Sequence, residues 1–209
     1  DNYSSWYGEA ENSYYQESDG PILGSLGLDN ESDEIDDANT SGKLGVDWKI
    51  ADNLLVYGAY STGYRGSAFN GFAFAPEEFT SVEPEELSAW EFGFKSTLQN
   101  GRTRLNGAVF HYNYENQQFL IFDAGLQYLL NAGESEIQGA ELQLTTQATN
   151  KLTINAGVGL LDAEYVSMRY AGVDLSGNTL PSSPEVNVNL MLDYDLWESD
   201  NLWVQLHYD

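Results

Sequence analysis

Glu185-Val186-Asn187-Val188-Asn189-Leu190-Met191-Leu192-Asp193-Tyr194-Asp195-Leu196 places an apolar side chain at every second position, with Met191 the one break. A polar stretch, Glu198-Ser199-Asp200-Asn201, follows, and the alternation resumes with Leu202, Val204, Leu206 and Tyr208. Successive side chains of a strand point to opposite faces, so this segment reads as a β-hairpin with one apolar and one polar face.

The same pattern recurs upstream. Leu44, Val46, Trp48 and Ile50 alternate with Lys43, Gly45, Asp47 and Lys49, and Trp90, Phe92 and Phe94 alternate with Glu91, Gly93 and Lys95. Leu152, Ile154, Ala156, Val158 and Leu160 alternate with Thr153, Asn155, Gly157 and Gly159. The pattern predicts about eight strands, at 41–50, 53–64, 86–98, 102–121, 128–147, 151–166, 184–197 and 201–208. The fourth is ambiguous, because Leu105, Gly107 and Val109 compete with Ala108, Phe110 and Tyr112 for the apolar face.

Turn-like stretches fall at Ala51-Asp52-Asn53, Gln99-Asn100-Gly101, Ala148-Thr149-Asn150-Lys151 and Glu198-Ser199-Asp200-Asn201. Asn100-Gly101 is a strong hairpin signal, since both residues tolerate positive φ. Small soluble β domains turn every ~8–12 residues. Here each short turn is separated from the next by a long excursion out and back, with a larger loop at its far end. Short turns on one rim, long loops on the other and several strands longer than the ~9–11 residues needed to cross lipid predict an all-β, antiparallel, up-and-down transmembrane β-barrel segment. Trp48, Trp197 and Trp203 lie near the short turns, and Trp90, Tyr112, Tyr114 and Tyr165 toward the long loops. Two aromatic girdles, one per membrane interface, are therefore expected.

Composition narrows the partners. With 33 acids against 8 bases the net charge is −25, which argues against nucleic acid and disfavours direct contact with anionic headgroups. The 14 Tyr, 9 Phe and 5 Trp mark a folding chain rather than a disordered acidic one. There is no cysteine, so no disulfide or thiolate metal site is expected. The first residues carry no basic stretch followed by an apolar core, and no run of ~18 apolar residues marks a helical span. Residues 1–40 hold many carboxylates and neither Lys nor Arg, and Gly20-Pro21 and Gly24 to Gly27 interrupt any long element. They read as an acidic loop on the long-loop side, and residues 41–209 as the barrel segment.

Candidate chemistry is sparse. Glu91 and Glu141 sit mid-strand and could form a glycosidase-like carboxylate pair, but the expected role is to face a hydrated lumen and pair with Lys95, Arg102 or Arg104. His111 and His207 lack a ligand pattern. Asp29, Glu31, Asp33, Glu34, Asp36 and Asp37 have the charge density of a calcium loop, but Glu34 stands where the sharp turn needs glycine. No catalytic residue, metal ligand or cofactor is expected. The loop at 65–85 is the candidate contact surface for a small ligand. Tyr64, Arg65, Phe69, Asn70 and Phe72 are the candidate residues, with Phe74 and Phe79 nearby. Aromatics give low-entropy contact area, and Arg grips a carboxylate or catecholate oxygen.

A series of motifs in fixed order adds a family resemblance. Val56-Tyr57-Gly58-Ala59-Tyr60-Ser61-Thr62-Gly63-Tyr64-Arg65-Gly66 is followed by Phe69-Asn70-Gly71 and Val82-Glu83-Pro84-Glu85. Then come Trp90-Glu91-Phe92-Gly93-Phe94-Lys95-Ser96, Arg104 to Phe110, Asn131-Ala132-Gly133, Ile137 to Leu142, Gly177-Asn178-Thr179-Leu180-Pro181 and Pro184-Glu185. Over about residues 41–208 the chain resembles TonB-dependent outer-membrane receptors. The resemblance implies an internal piece of the C-terminal half of a barrel of roughly 22 strands, with the plug domain and TonB box absent from this segment and residues 1–40 extracellular. It further implies a non-enzymatic role in the outer membrane of a Gram-negative bacterium. The implied task is active uptake of a ferric siderophore or other small-molecule substrate, energised by TonB–ExbB–ExbD. The rival expectations are a soluble carbohydrate-binding β-sandwich or jelly-roll, and a secreted jelly-roll hydrolase. The first would bury the apolar strand faces against another sheet, and the second would need two carboxylates converging in a cleft.

Overall fold

The computed structural model describes residues 6–9, 32–35, 38–71, 73, 75–123, 125–131, 133–170, 172–195 and 203–208. Its strands are β1 (Trp6–Glu9), β2 (Ser32–Ile35), β3 (Gly42–Ala51), β4 (Leu54–Arg65), β5 (Ala68–Phe69), β6 (Ser81–Val82), β7 (Glu85–Leu98) and β8 (Thr103–Glu115). They continue as β9 (Gln118–Asp123), β10 (Leu126–Asn131), β11 (Glu134–Gln147), β12 (Leu152–Ser167), β13 (Arg169–Tyr170), β14 (Val173–Asp174), β15 (Val186–Asp195) and β16 (Trp203–Tyr208). Among the described residues the only helical pieces are two three-residue 3-10 turns, Pro76–Glu78 and Gln99–Gly101.

Eight strands form one sheet in the order β16-β15-β12-β11-β8-β7-β4-β3. Every pair in it is antiparallel and joins strands that are consecutive among the eight, the up-and-down meander expected. The sheet is open, with β3 and β16 at its two edges. Strands β1 and β2 pair with each other, and most of the remaining acidic N-terminal stretch lies outside the described residues, as does the 198–201 turn.

The register shows how the alternation divides the sheet. Directly paired residues share a face. One face therefore carries Leu44, Val46 and Trp48, then Val56 and Tyr60, Phe94, Phe92 and Trp90, Leu105 and Val109, Leu144 and Leu142, Ile154, Val158 and Leu160, and Leu192, Leu190, Val188 and Val186. The opposite face carries Lys43, Asp47, Lys49, Tyr57, Lys95, Glu91, Arg104, Asn106, Gln143, Glu141, Asn155, Asn189, Asn187 and Asp193. The apolar face is bare: Leu44 is 73% exposed and Val188 60%. No second sheet covers it among the described residues, an arrangement that does not favour the sandwich and jelly-roll readings. The ambiguous strand is resolved, with Leu105, Gly107 and Val109 on the apolar face and Ala108, Phe110 and Tyr112 on the polar one.

Two expectations need correction. The strands read as 102–121 and 128–147 are each broken. Asn116 turns left-handed at φ 53° and Gly133 has φ 137°, so the sheet strands stop there and the loop continues as a separate β9–β10 hairpin. A Cβ on Gly133 would collide with the Ser167 carbonyl oxygen, a close approach only glycine permits. The girdle is also thinner than expected. Trp90 lies on the apolar face against Tyr60, at 4.5 Å between ring centroids, and Trp48 lies on the same face near the turns. Tyr112, Tyr114 and Tyr165 fall on the polar face by strand parity, and Tyr165 is buried. Trp197 lies outside the described residues.

Large rings lie over glycines on neighbouring strands. A Cβ on Gly93 would meet the Tyr57 ring, one on Gly58 the Phe92 ring, one on Gly107 the Phe94 ring and one on Gly139 the Phe110 ring. Each ring sits on the strand position directly opposite its glycine. The missing side chain gives the ring a flat seat on backbone and fixes its direction along the wall.

Candidate functional site

The short-turn rim is tightly finished. Gln99, Asn100 and Gly101 all adopt positive φ, and the Thr103 hydroxyl meets Gln99 Oε1 at 3.0 Å and the Thr146 hydroxyl at 2.7 Å. The opposite rim carries the loops, and there most of the described molecule's buried residues lie.

Three loops lock together on that rim, with the β9–β10 hairpin in the middle. On one side, the Asn70 side-chain amide donates to the carbonyls of Glu78 at 2.9 Å and Gln127 at 2.7 Å. The Glu78 carboxylate accepts the backbone N–H of Gln127 at 2.6 Å and of Ala75 at 3.0 Å. The Thr80 hydroxyl donates to the Leu129 carbonyl, and Asn131 bonds both the N–H and the carbonyl of Glu83. The Gln118 side chain donates to the carbonyls of Gly66 and Glu83, while its backbone N–H donates to the Glu85 carboxylate. On the other side, Phe119 packs edge-on against Tyr165, which with Met168, Tyr170, Leu175 and Leu180 forms a small apolar core. The Tyr170 hydroxyl donates to the Phe122 carbonyl. In this second loop Asp174 accepts both the hydroxyl and the backbone N–H of Ser176, which hold its carboxyl below the usual range.

These contacts separate the residues that the sequence grouped. Arg65 is exposed at the end of β4, on the polar face, opposite Glu85. Tyr64, one position earlier, falls on the apolar-face side opposite Glu86. Phe69 stacks on Phe79 at 6.0 Å. Asn70 is 4% exposed, its amide bonded to two backbone carbonyls inside the loop body. Phe72 and Phe74 lie outside the described residues.

The wall below adds residues that were not singled out. On the polar face, Phe110 and Tyr112 stack at 5.0 Å, and Tyr57 donates its hydroxyl to Glu91 Oε1 at 2.7 Å while Lys95 sits over its ring at 5.5 Å from the centroid. The expected ion pairs of Glu91 and Glu141 with Lys95, Arg102 or Arg104 do not form among the described residues, where a phenol takes the place of the cation at Glu91. The signal was present in β8, where Ala108, Phe110, Tyr112 and Tyr114 form a second period-two run in the polar register. All five bases on strands of the eight-stranded sheet, Lys43, Lys49, Arg65, Lys95 and Arg104, belong to the polar face. His111 instead lies on the apolar-face side, 3.7 Å from Glu136. No cluster of three metal-ligating side chains occurs among the described residues.

A family described as TonB dependent receptor-like, beta-barrel, matches residues 1–209. The chain is 27% identical over 165 residues to a probable TonB-dependent siderophore receptor, PiuA, of Acinetobacter baumannii, covering 73% of this chain and 22% of that protein. It is 28% identical over 159 residues to the probable TonB-dependent receptor BfrD of Bordetella pertussis, covering 74% of this chain and 21% of that one. The chain thus spans about a fifth of the length of the curated relatives it matches. Among solved structures, the ferric yersiniabactin uptake receptor FyuA from Yersinia pestis superposes with a TM-score of 0.65 at 19% identity, over 78% of this chain and 24% of that one. The siderophore receptor PiuA from Acinetobacter baumannii does so with a TM-score of 0.57 at 23% identity, over 79% and 24%. At these identities the structures speak for the fold, and the fold they share is this wall.

Proposed function

Because the chain belongs to the TonB-dependent receptors, as a segment of their β-barrel, we propose that the whole protein is an outer-membrane transporter that takes up an iron–siderophore complex. The observation that carries this reading is the sheet itself, an open meander with one bare apolar face for lipid and one polar face for a water-filled lumen. Relatives named as siderophore receptors support the substrate class. Energy would come from TonB–ExbB–ExbD, acting on parts of the protein beyond this segment. The role is binding and translocation, with no catalytic step.

Arg65 is the proposed first contact on the loop rim. Its guanidinium is exposed on the lumen side, above the wall that carries Phe110, Tyr112 and Lys95. A fixed fork of donors suits an oxygen-rich anionic chelate. Phe69 supports the loop that follows, and Asn70 positions it. The test is uptake of radioactive iron–siderophore by cells with and without the full-length gene, in the presence and absence of TonB. Loss of uptake in both deletions is the expected result, and undiminished uptake in either refutes it.

A further inference from the structure

Arg65 and Glu85 are directly opposed on the polar face, where β4 pairs with β7. The Cβ atoms of such residues stand ~4.5–5.5 Å apart, and opposite charges placed there attract. These two do not pair. Among the described residues the ion pairs are Lys49–Asp52 and His111–Glu136, and Arg65 has none.

The Glu85 carboxylate is held by the β9–β10 hairpin instead. Its Oε2 accepts the backbone N–H of Gln118 at 2.9 Å. Gln118 opens β9 and is only 9% exposed. Its side-chain amide donates to the Gly66 carbonyl at 2.9 Å, next to Arg65, and to the Glu83 carbonyl at 3.0 Å, close before Glu85. One residue thus grips the chain beside both members of the missing pair and takes the carboxylate for itself. Asn131, its partner on β10, holds the same segment through the N–H and carbonyl of Glu83.

This grip depends on where the hairpin sits. The hairpin leaves the wall at Asn116 and Gly133, both with positive φ, and it is a sheet of its own. Side-chain bonds, not a continuous ladder, tie its base to the segment around Glu85. Contacts of that kind open at lower cost than the wall does. Once the neck lifts, Glu85 loses its donor, and the guanidinium directly opposite is a charge-assisted replacement.

We propose that Glu85 is a built-in competitor for Arg65, and that Gln118 is the positioning residue that withholds it. With the hairpin seated, Arg65 presents its whole fork of donors to the rim. With the hairpin lifted, Glu85 fills the fork, and capture of an anionic oxygen is lost. This rests on the reading of Arg65 as the first contact and adds the regulation of that contact.

The test follows Arg65 itself. The intact receptor in detergent is treated with phenylglyoxal, which condenses with unpaired guanidinium groups, and modification is timed by peptide mass spectrometry. Exposed Arg104, near the short-turn rim, is the reference in the same sample. Gln118→Pro deletes the N–H that holds Glu85 and should slow Arg65 by about threefold or more, the effect of one exposed ion pair. Adding Glu85→Gln, which keeps an acceptor oxygen but no charge, should restore the parent rate. Arg65 that is no slower in Gln118→Pro, or that stays slow after Glu85→Gln is added, overturns the proposal. If Gln118→Pro does not assemble, Gln118→Ala decides by the same two criteria, because it removes the clamps on Gly66 and Glu83. No siderophore enters the measurement, so its failure is separable from failure of the transport reading.

Discussion

At position 70 a side-chain amide holds two backbone carbonyls, one 8 and the other 57 residues further along the sequence, and it is almost wholly buried. Asn70→Ala should leave both carbonyls short of a donor and cost about 1–3 kcal/mol in the local stability of the loop body. Hydrogen exchange on the intact receptor checks this: protection should fall over 66–84 and 118–131 and stay unchanged in the wall. Five positions further back the expectation concerns affinity. Arg65→Ala should weaken substrate binding by about ten- to a hundredfold, the loss of one charge-assisted contact of about 1.5–3 kcal/mol, with assembly intact. Equilibrium titration on parent and variant decides it, and equal affinities would remove Arg65 from the site. The sequence marked both residues as candidates because loop composition is visible in it. It could not separate them, since an Asn side chain reaching a carbonyl 57 positions on leaves no local trace.

At the scale of the strand, alternation did most of the work. The apolar registers of β3, β7, β12 and β15 were read from period two alone and match the observed faces. Strand β8 was not legible by that rule, because its polar face is itself aromatic and the two registers look alike. Loop ends were also lost. Local pattern cannot show where a strand leaves one sheet and enters another, and here one left-handed Asn and one Gly make that decision. The ring-over-glycine pairs give this scale its own test. A methyl at Gly93 would stand 2.6 Å from the Gly107 carbonyl oxygen and 2.6 Å from the Tyr57 ring. Gly93→Ala should force that strand pair apart and cost about 1–3 kcal/mol. The readout is a smaller heat-resistant folded fraction of the assembled receptor on gels.

At the scale of the molecule, the eight-stranded sheet has two unpaired edges and a bare apolar face. Both features drive association in water. Residues 1–209 expressed alone without detergent should aggregate, and sedimentation of a monodisperse, cooperatively melting monomer would contradict the membrane reading. The same sheet has a mechanical consequence. Within the sheet each strand is bonded only to the sheet strands that come next before and after it, so tension along the chain loads the strands of this ribbon one after another rather than together. Pulled from the membrane by its C-terminus, this part of the wall should come away as an unzipping ribbon, a hairpin at a time, giving a sawtooth of separate rupture peaks. Between peaks the strands still in place would keep their register.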